Sequence, residues 1–203
     1  VVQYYNGSTN AGTSITAASA SECTDISGWT ALGWRDDSSA DAKEYAFGSI
    51  ITPSPTTYYA VYSRTSTFYY GYNMADNKTA PQSYNTNDAY YVETPSKTND
   101  MDISSWTARG WRTDTTADEA VVDVGEEYTS AISTCYAVYS RTATFKDFRS
   151  ATETAISSDE QTQYLNSGNE VPTSVTTYAL YSHTTYGWTP IGWSVSDSTT
   201  TSD

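Results

Sequence analysis

The residues able to do chemistry are few and do not gather. His183 is the only histidine, set between Ser182 and Thr184, and no cysteine or carboxylate accompanies it in a pattern that acid–base or nucleophilic catalysis would need. The sequence contains no G-x-S-x-G elbow, phosphate-binding glycine loop, C-x-x-C pair or H-E-x-x-H. Two acidic clusters could offer oxygen ligands to calcium: Asp36, Asp37, Asp41 and Glu44, then Asp114, Asp118 and Glu119. Their spacing matches no calcium loop, and solvated turn residues are the simpler expectation. Lys43, Lys78, Lys97 and Lys146 are the lysines that a lysine–asparagine isopeptide cross-link would use, but none recurs at an equivalent repeat position, so such a link is not expected. The expectation is a protein that is not an enzyme, with no catalytic residue, cofactor or metal and with its ligand-binding residues unassigned.

Charge and cysteine usage narrow the partners. Acids outnumber bases 24 to 10, giving a net charge of -14, and Arg35, Lys43, Arg64, Arg112 and Lys146 are scattered singly. Phosphate backbones would be repelled, so nucleic acid is excluded as an expected partner. No run approaches the roughly 20 apolar residues of a membrane span, and the chain reads as internal from Val1. Cys23 and Cys135 fall opposite Asp100 and Tyr58 in the repeats described next, so a designed disulfide is not expected.

What must position the remaining side chains is a repeated unit. Three tryptophan pairs share W-T-x-x-G-W: Trp29-Thr-Ala-Leu-Gly-Trp34, Trp106-Thr-Ala-Arg-Gly-Trp111 and Trp188-Thr-Pro-Ile-Gly-Trp193. Tyr59-Ala-Val-Tyr-Ser-Arg-Thr65 recurs as Tyr136-Ala-Val-Tyr-Ser-Arg-Thr142, at the same 77-residue offset as Trp29 and Trp106, and Gly48 recurs as Gly125. A weaker block precedes each pair: Gln3-Tyr-Tyr-Asn6, Gln82-Ser-Tyr-Asn85 and Gln163-Tyr-Leu-Asn166. Ordered blocks at near-constant spacing mark duplication with a period of about 80 residues.

The palette is that of strands, with 19 Tyr and 6 Trp beside abundant Ser and Thr. The expected fold is mainly β, α+β at most, in tandem modules over 1–64, 65–141 and 142–203. The first would lack its first strand, the second would be complete, and the third would lack a return strand expected beyond Asp203. Such incomplete ends would invite head-to-tail self-association. Within the middle module, strands are expected at Thr65–Tyr72, Ser83–Glu93, Trp106–Arg112 and Cys135–Ser140, with any short helix near Ala117–Val122. Five-residue spacing would put Trp106 and Trp111 on opposite faces of a strand unless a bulge at Gly110 brings both rings to one side. The expected structural anchors are Trp29, Gly33, Trp34, Tyr59, Tyr62, Trp106, Gly110, Trp111, Tyr136, Tyr139, Trp188, Gly192 and Trp193.

Gly28 to Trp34, an acidic loop, Gly48 and the strand Tyr59 to Tyr62 resemble the internalin B-repeat (Listeria-Bacteroides repeat) family, as do Trp106 to Trp111, Gly125, Tyr136 to Tyr139, and Gly187 to Trp193. Ser105 departs from it by replacing the leading glycine, and Tyr62 and Tyr139 stand where the family often has tryptophan. The resemblance implies small β-grasp-like modules of secreted or cell-surface bacterial proteins, and it transfers no catalytic residue. The function it implies is an extracellular spacer, stalk or adhesin whose partners would be a host or cell-surface protein or a glycan. A phage tail, fibre or capsid-decoration protein, located in the virion, and a carbohydrate-binding module of a secreted enzyme are the alternatives the composition also accommodates.

Overall fold

The computed structural model describes residues 5–6, 11–12, 14–24, 26–40, 42–51, 57–87, 89–147, 157–169, 171–177 and 192–193. In chain order the strands are β1 (Tyr5–Asn6), β2 (Ala11–Gly12), β3 (Ile15–Thr16), β4 (Thr30–Arg35), β5 (Ile50–Ile51), β6 (Tyr59–Tyr70) and β7 (Asp76–Asn85). They continue as β8 (Ala89–Glu93), β9 (Thr107–Arg112), β10 (Val122–Asp123), β11 (Glu127–Tyr128), β12 (Thr134–Asp147) and β13 (Ser157–Asn166). Among the described residues the helical segments are two 3₁₀ turns, Ala20–Glu22 and Tyr72–Met74. The fold is mainly β.

The main sheet runs β10-β9-β12-β6-β7-β8-β11, with β13 also on β12 and β4 also on β6. Its spine is the pair β6 and β12, of 12 and 14 residues, joined in parallel where Thr134, Cys135 and Tyr136 face Thr67, Phe68 and Tyr69. Both strands run without a break through the repeat bounds at 64/65 and 141/142. The expected strands Thr65–Tyr72 and Cys135–Ser140 are therefore parts of longer ones. No Gly, Pro, Asn or Asp interrupts Tyr59-Ala-Val-Tyr-Ser-Arg-Thr-Ser-Thr-Phe-Tyr-Tyr70, so nothing stops the strand once it has started.

The 77-residue offset holds in the hydrogen-bonded register as well. Thr30, Ala31, Gly33, Trp34 and Arg35 face Ser63, Tyr62, Val61, Ala60 and Tyr59. Thr107, Ala108, Gly110, Trp111 and Arg112 face Ser140, Tyr139, Val138, Ala137 and Tyr136 in the same way. Each ladder slips once, leaving Leu32 and Arg109 as the extra residues of β-bulges. The bulge resets the alternation, and Trp106 and Trp111 both join the core, 9% and 0% exposed.

The glycine of W-T-x-x-G-W is a matter of space. A Cβ on Gly110 would lie 2.1 Å from the Val122 carbonyl oxygen, and one on Gly33 would lie 2.4 Å from that of Tyr45. The chain crosses so closely there that no side chain fits.

The core of the middle repeat joins Phe68 and Tyr70 of β6, Val92 of β8, Trp106 just before β9, Ala108 and Trp111 of β9, and Cys135, Ala137 and Tyr139 of β12. Leu165 of β13 closes it from the other side of the 141/142 bound. A Phe68–Trp111 edge contact at 5.0 Å lies at its centre.

Two expected elements differ. The extended region Ser83–Glu93 is two strands, β7 and β8, turning through Thr86 and Asn87. β7 itself starts at Asp76. Pro81 is accommodated because it faces Thr65 on one side, while β8 pairs only Ser83–Asn85 on the other. The helix expected near Ala117–Val122 is absent. Arg112 takes the Glu119 carbonyl, and Val121 N–H donates to Trp111, so this backbone is committed to a folded turn.

Candidate functional site

All three sequence blocks meet in space, once in each of two copies. In the first copy the Arg64 guanidinium lies 4.3 Å from the centre of the Trp29 ring, and its Nε donates to Gln82 Oε1 at 3.0 Å. In the second, Arg141 lies 4.3 Å over Trp106 and its Nε donates to Gln163 Oε1 at 2.8 Å. A guanidinium stacked on indole and held at its edge by an amide is fixed in plane and direction. This ties the arginine of one block to the glutamine that begins the next.

The fourth residue of the glutamine block does equal work. Asn85 is fully buried; its Nδ2 donates to the carbonyls of Asp37 at 3.0 Å and Ser39 at 2.7 Å, and its Oδ1 accepts from Asn87 N–H. Asn166 donates to Asp114 and Thr116 at 3.1 and 3.0 Å and accepts from Gly168 N–H. Each asparagine thus holds the acidic turn that follows the preceding tryptophan pair.

Those turns are closed from inside by arginine. Arg35 meets Asp37 through two bonds of 2.7 and 2.9 Å and donates to the Ala42 carbonyl; Arg112 meets Asp114 at 2.9 and 3.0 Å and donates to Glu119. The Arg35 bond, then the Ser39 N–H, hold the Asp37 carboxyl down at about 2. Arg112, then the Thr116 N–H, hold that of Asp114 well below the usual carboxylate range. Of the acids considered for calcium, these two have both oxygens engaged by arginine. Asp36 Oδ2 accepts from Tyr45, and Asp41 lies outside the described residues. Among the described residues no group of three or more His, Cys, Asp or Glu is placed to hold a metal.

The hydroxyls of Tyr62 and Tyr139 are both engaged. Tyr62 donates to the Thr24 carbonyl at 2.7 Å, and Tyr139 accepts from Gly71 N–H at 2.6 Å, its phenol pushed up to about 12 by burial. Trp34 Nε1 donates to Ala18 O, whereas Trp111 Nε1 is buried and meets no acceptor among the described residues. Tyr59 and Tyr136 are half-buried, and Tyr136 stacks on Tyr69 at 6.1 Å. Cys23 and Cys135 are free thiols, the latter buried in the core and pushed up to about 12. Lys78 donates to Thr98, and Lys97 pairs with Asp102 at 3.0 Å.

Beyond Asn166 the described residues are fewer. Trp193 packs edge-on to Phe145 at 5.2 Å, as Trp111 does to Phe68, and Gly192 precedes it on an exposed stretch. Gln3, His183 and Trp188 lie outside the described residues.

One block escaped the pattern reading. Tyr178-Ala-Leu-Tyr-Ser-His-Thr184 repeats Tyr136-Ala-Val-Tyr-Ser-Arg-Thr142, with His183 at the arginine position, but stands before its tryptophan pair rather than after it. The block counted as missing from 142–203 is thus present in a different order. A search for Y-A-x-Y-S independent of block order would have found it. The approach to it has a structural counterpart: Gln163 Nε2 donates to Thr173 O, five residues ahead of Tyr178, as Gln82 Nε2 donates to Ser130 O, six ahead of Tyr136. No family model, curated protein or solved structure matches the chain.

Proposed function

We propose that this chain is a non-enzymatic, tandem-repeat region of an extracellular bacterial surface protein, of the internalin B-repeat kind, acting as a spacer or stalk. The observation that carries the reading is the continuity of β6 and β12 across the repeat bounds. A strand shared by two modules leaves no flexible linker between them, which is what a stalk needs to hold a distal domain away from a surface. Each shared strand is also held on both sides of its bound. β6 pairs β4 before Arg64 and β12 after Thr65, with β7 along nearly its whole length. The arginine–tryptophan–glutamine clusters sit at these bounds and bind one repeat's last block to the next repeat's first.

Pulling the chain between its ends in a single-molecule force experiment tests this. A load-bearing stalk with shared strands should rupture over residues 59–166 in one event, because neither module can lose its strand alone. Separate, independent low-force events for the two modules would contradict it.

A further inference from the structure

We infer that the groove between β9 and β12 in the second repeat is a binding site for the carboxylate of an acidic saccharide, a site independent of the spacer reading. The groove, about 440 Å³, is lined by Ser105, Thr107, Arg109, Arg141, Thr142 and Gln163, among others. Two guanidiniums share it, each steered at one nitrogen: Arg109 Nε donates to Ser140 Oγ at 2.7 Å and Arg141 Nε to Gln163 Oε1 at 2.8 Å. Among the described residues neither arginine forms an ion pair, in a chain whose acids outnumber its bases 24 to 10. The nearby Asp102 is engaged by Lys97 and by the Ala108 N–H.

The first repeat supplies the comparison. There the segment ahead of β12 packs closely over this surface: Ser66 Oγ donates to Ile132 O, Ile132 N–H to Gln82 Oε1, and Gln82 Nε2 to Ser130 O, leaving Gln82 fully buried, whereas Gln163, held by Thr173 O in the same way, stays half-buried. In the second repeat Ala143 replaces Ser66, and Arg141 is exposed where Arg64 is half-buried. Two further differences add polar chemistry to the groove. Arg109 stands at the bulge position held by Leu32, and Ser105 stands where the first repeat has Gly28. Ser105 keeps a φ of 60°, close to the 78° of Gly28, so a hydroxyl is held at the groove in a left-handed conformation that costs a serine more than a glycine.

The lining selects the ligand. Guanidiniums recognise carboxylates through paired N–H donors, and the hydroxyls and amide around them suit sugar hydroxyls. Arg141 covers the Trp106 face, so that ring is not offered to a neutral sugar, and among the described residues of the lining Ala143 is the sole apolar side chain, too little to anchor a peptide. The volume falls within the range of roughly 300–1,000 Å³ usual for small-ligand sites.

Titrating the full chain with a uronic-acid disaccharide, followed by amide NMR shifts, tests the assignment against a neutral disaccharide, acetate and an Asp/Glu tetrapeptide. The uronate is expected to shift amides of Thr107–Arg109 and Ser140–Thr142, to bind about tenfold more tightly than each comparison probe, and to weaken with added salt. Arg109→Leu, which installs the first repeat's residue at that bulge, should lose about tenfold in affinity with an unchanged melting temperature. Equal binding of uronate and neutral sugar, equal binding of acetate or the peptide, no binding at all, or an unaltered affinity in Arg109→Leu would each overturn it.

Discussion

Asp37 and Asp114 show how single side chains hold this fold, and how they should fail. Both are exposed carboxylates whose pairing with arginine lowers their proton affinity relative to the unfolded chain. A lowered folded value means that the stabilisation is present above the ordinary 3.8 and is lost as pH falls toward about 2, the value for Asp37. Acid titration by NMR should therefore show Asp37 ionised at pH 3, with its turn opening only below that. Asp37→Asn, which cannot ionise, should loosen this turn already at neutral pH and remove its acid-dependent opening; an Asp37 that titrates at its ordinary value would exclude the clamp. At this scale the sequence was partly legible. Recurring tryptophans, glycines and tyrosines stood out by their identity, whereas the acids were legible only as turn residues. Their arginine partners stand two positions away in a strand, at a spacing with no distinctive sequence signature.

Elements show a sharper division between what periodicity reveals and what it hides. The five-residue tryptophan spacing with its glycine was enough to raise a bulge, and the ladders carry one at Leu32 and one at Arg109. The fusion of return strand with first strand was hidden, because Ser63-Arg64-Thr65-Ser66 has neither a breaker nor an obvious reason to end or continue. The helix expected near Ala117 failed for a different reason: side-chain bonds from Arg112 and Asp114 outweigh weak local propensity. Asn85 closes β7 and fixes the turn after β4, so it couples elements 46 and 48 residues apart. Replacing Asn85 by Ala removes two donors to carbonyls and one acceptor at a fully buried site, and should cost about 2–3 kcal/mol in chemical denaturation. Asn166→Ala should behave alike. A loss below about 0.5 kcal/mol would mean that these turns hold without their asparagine.

For the whole molecule, the sequence repeat and the structural unit are offset. The tryptophan and tyrosine blocks recur after 77 residues between the first two copies, but β6 serves the copy before Arg64 and the copy after Thr65 at once, and β12 does the same at 141/142. A piece cut at 65 and 141 would carry half of each long strand and would lose Leu165 from its core and Gln163 from its cluster. Duplication was legible because identical side chains recur; the overlap was not, because it resides in hydrogen bonds between blocks that sequence comparison treats as separate. Native-state hydrogen exchange on the intact chain tests this overlap most directly. The β6 amides that bond β7 should share one opening free energy on both sides of Arg64/Thr65, since the strand can be released only as a whole. Amides of Tyr59–Arg64 that open independently of those in Ser66–Tyr70 would contradict the account and restore a chain of separate modules.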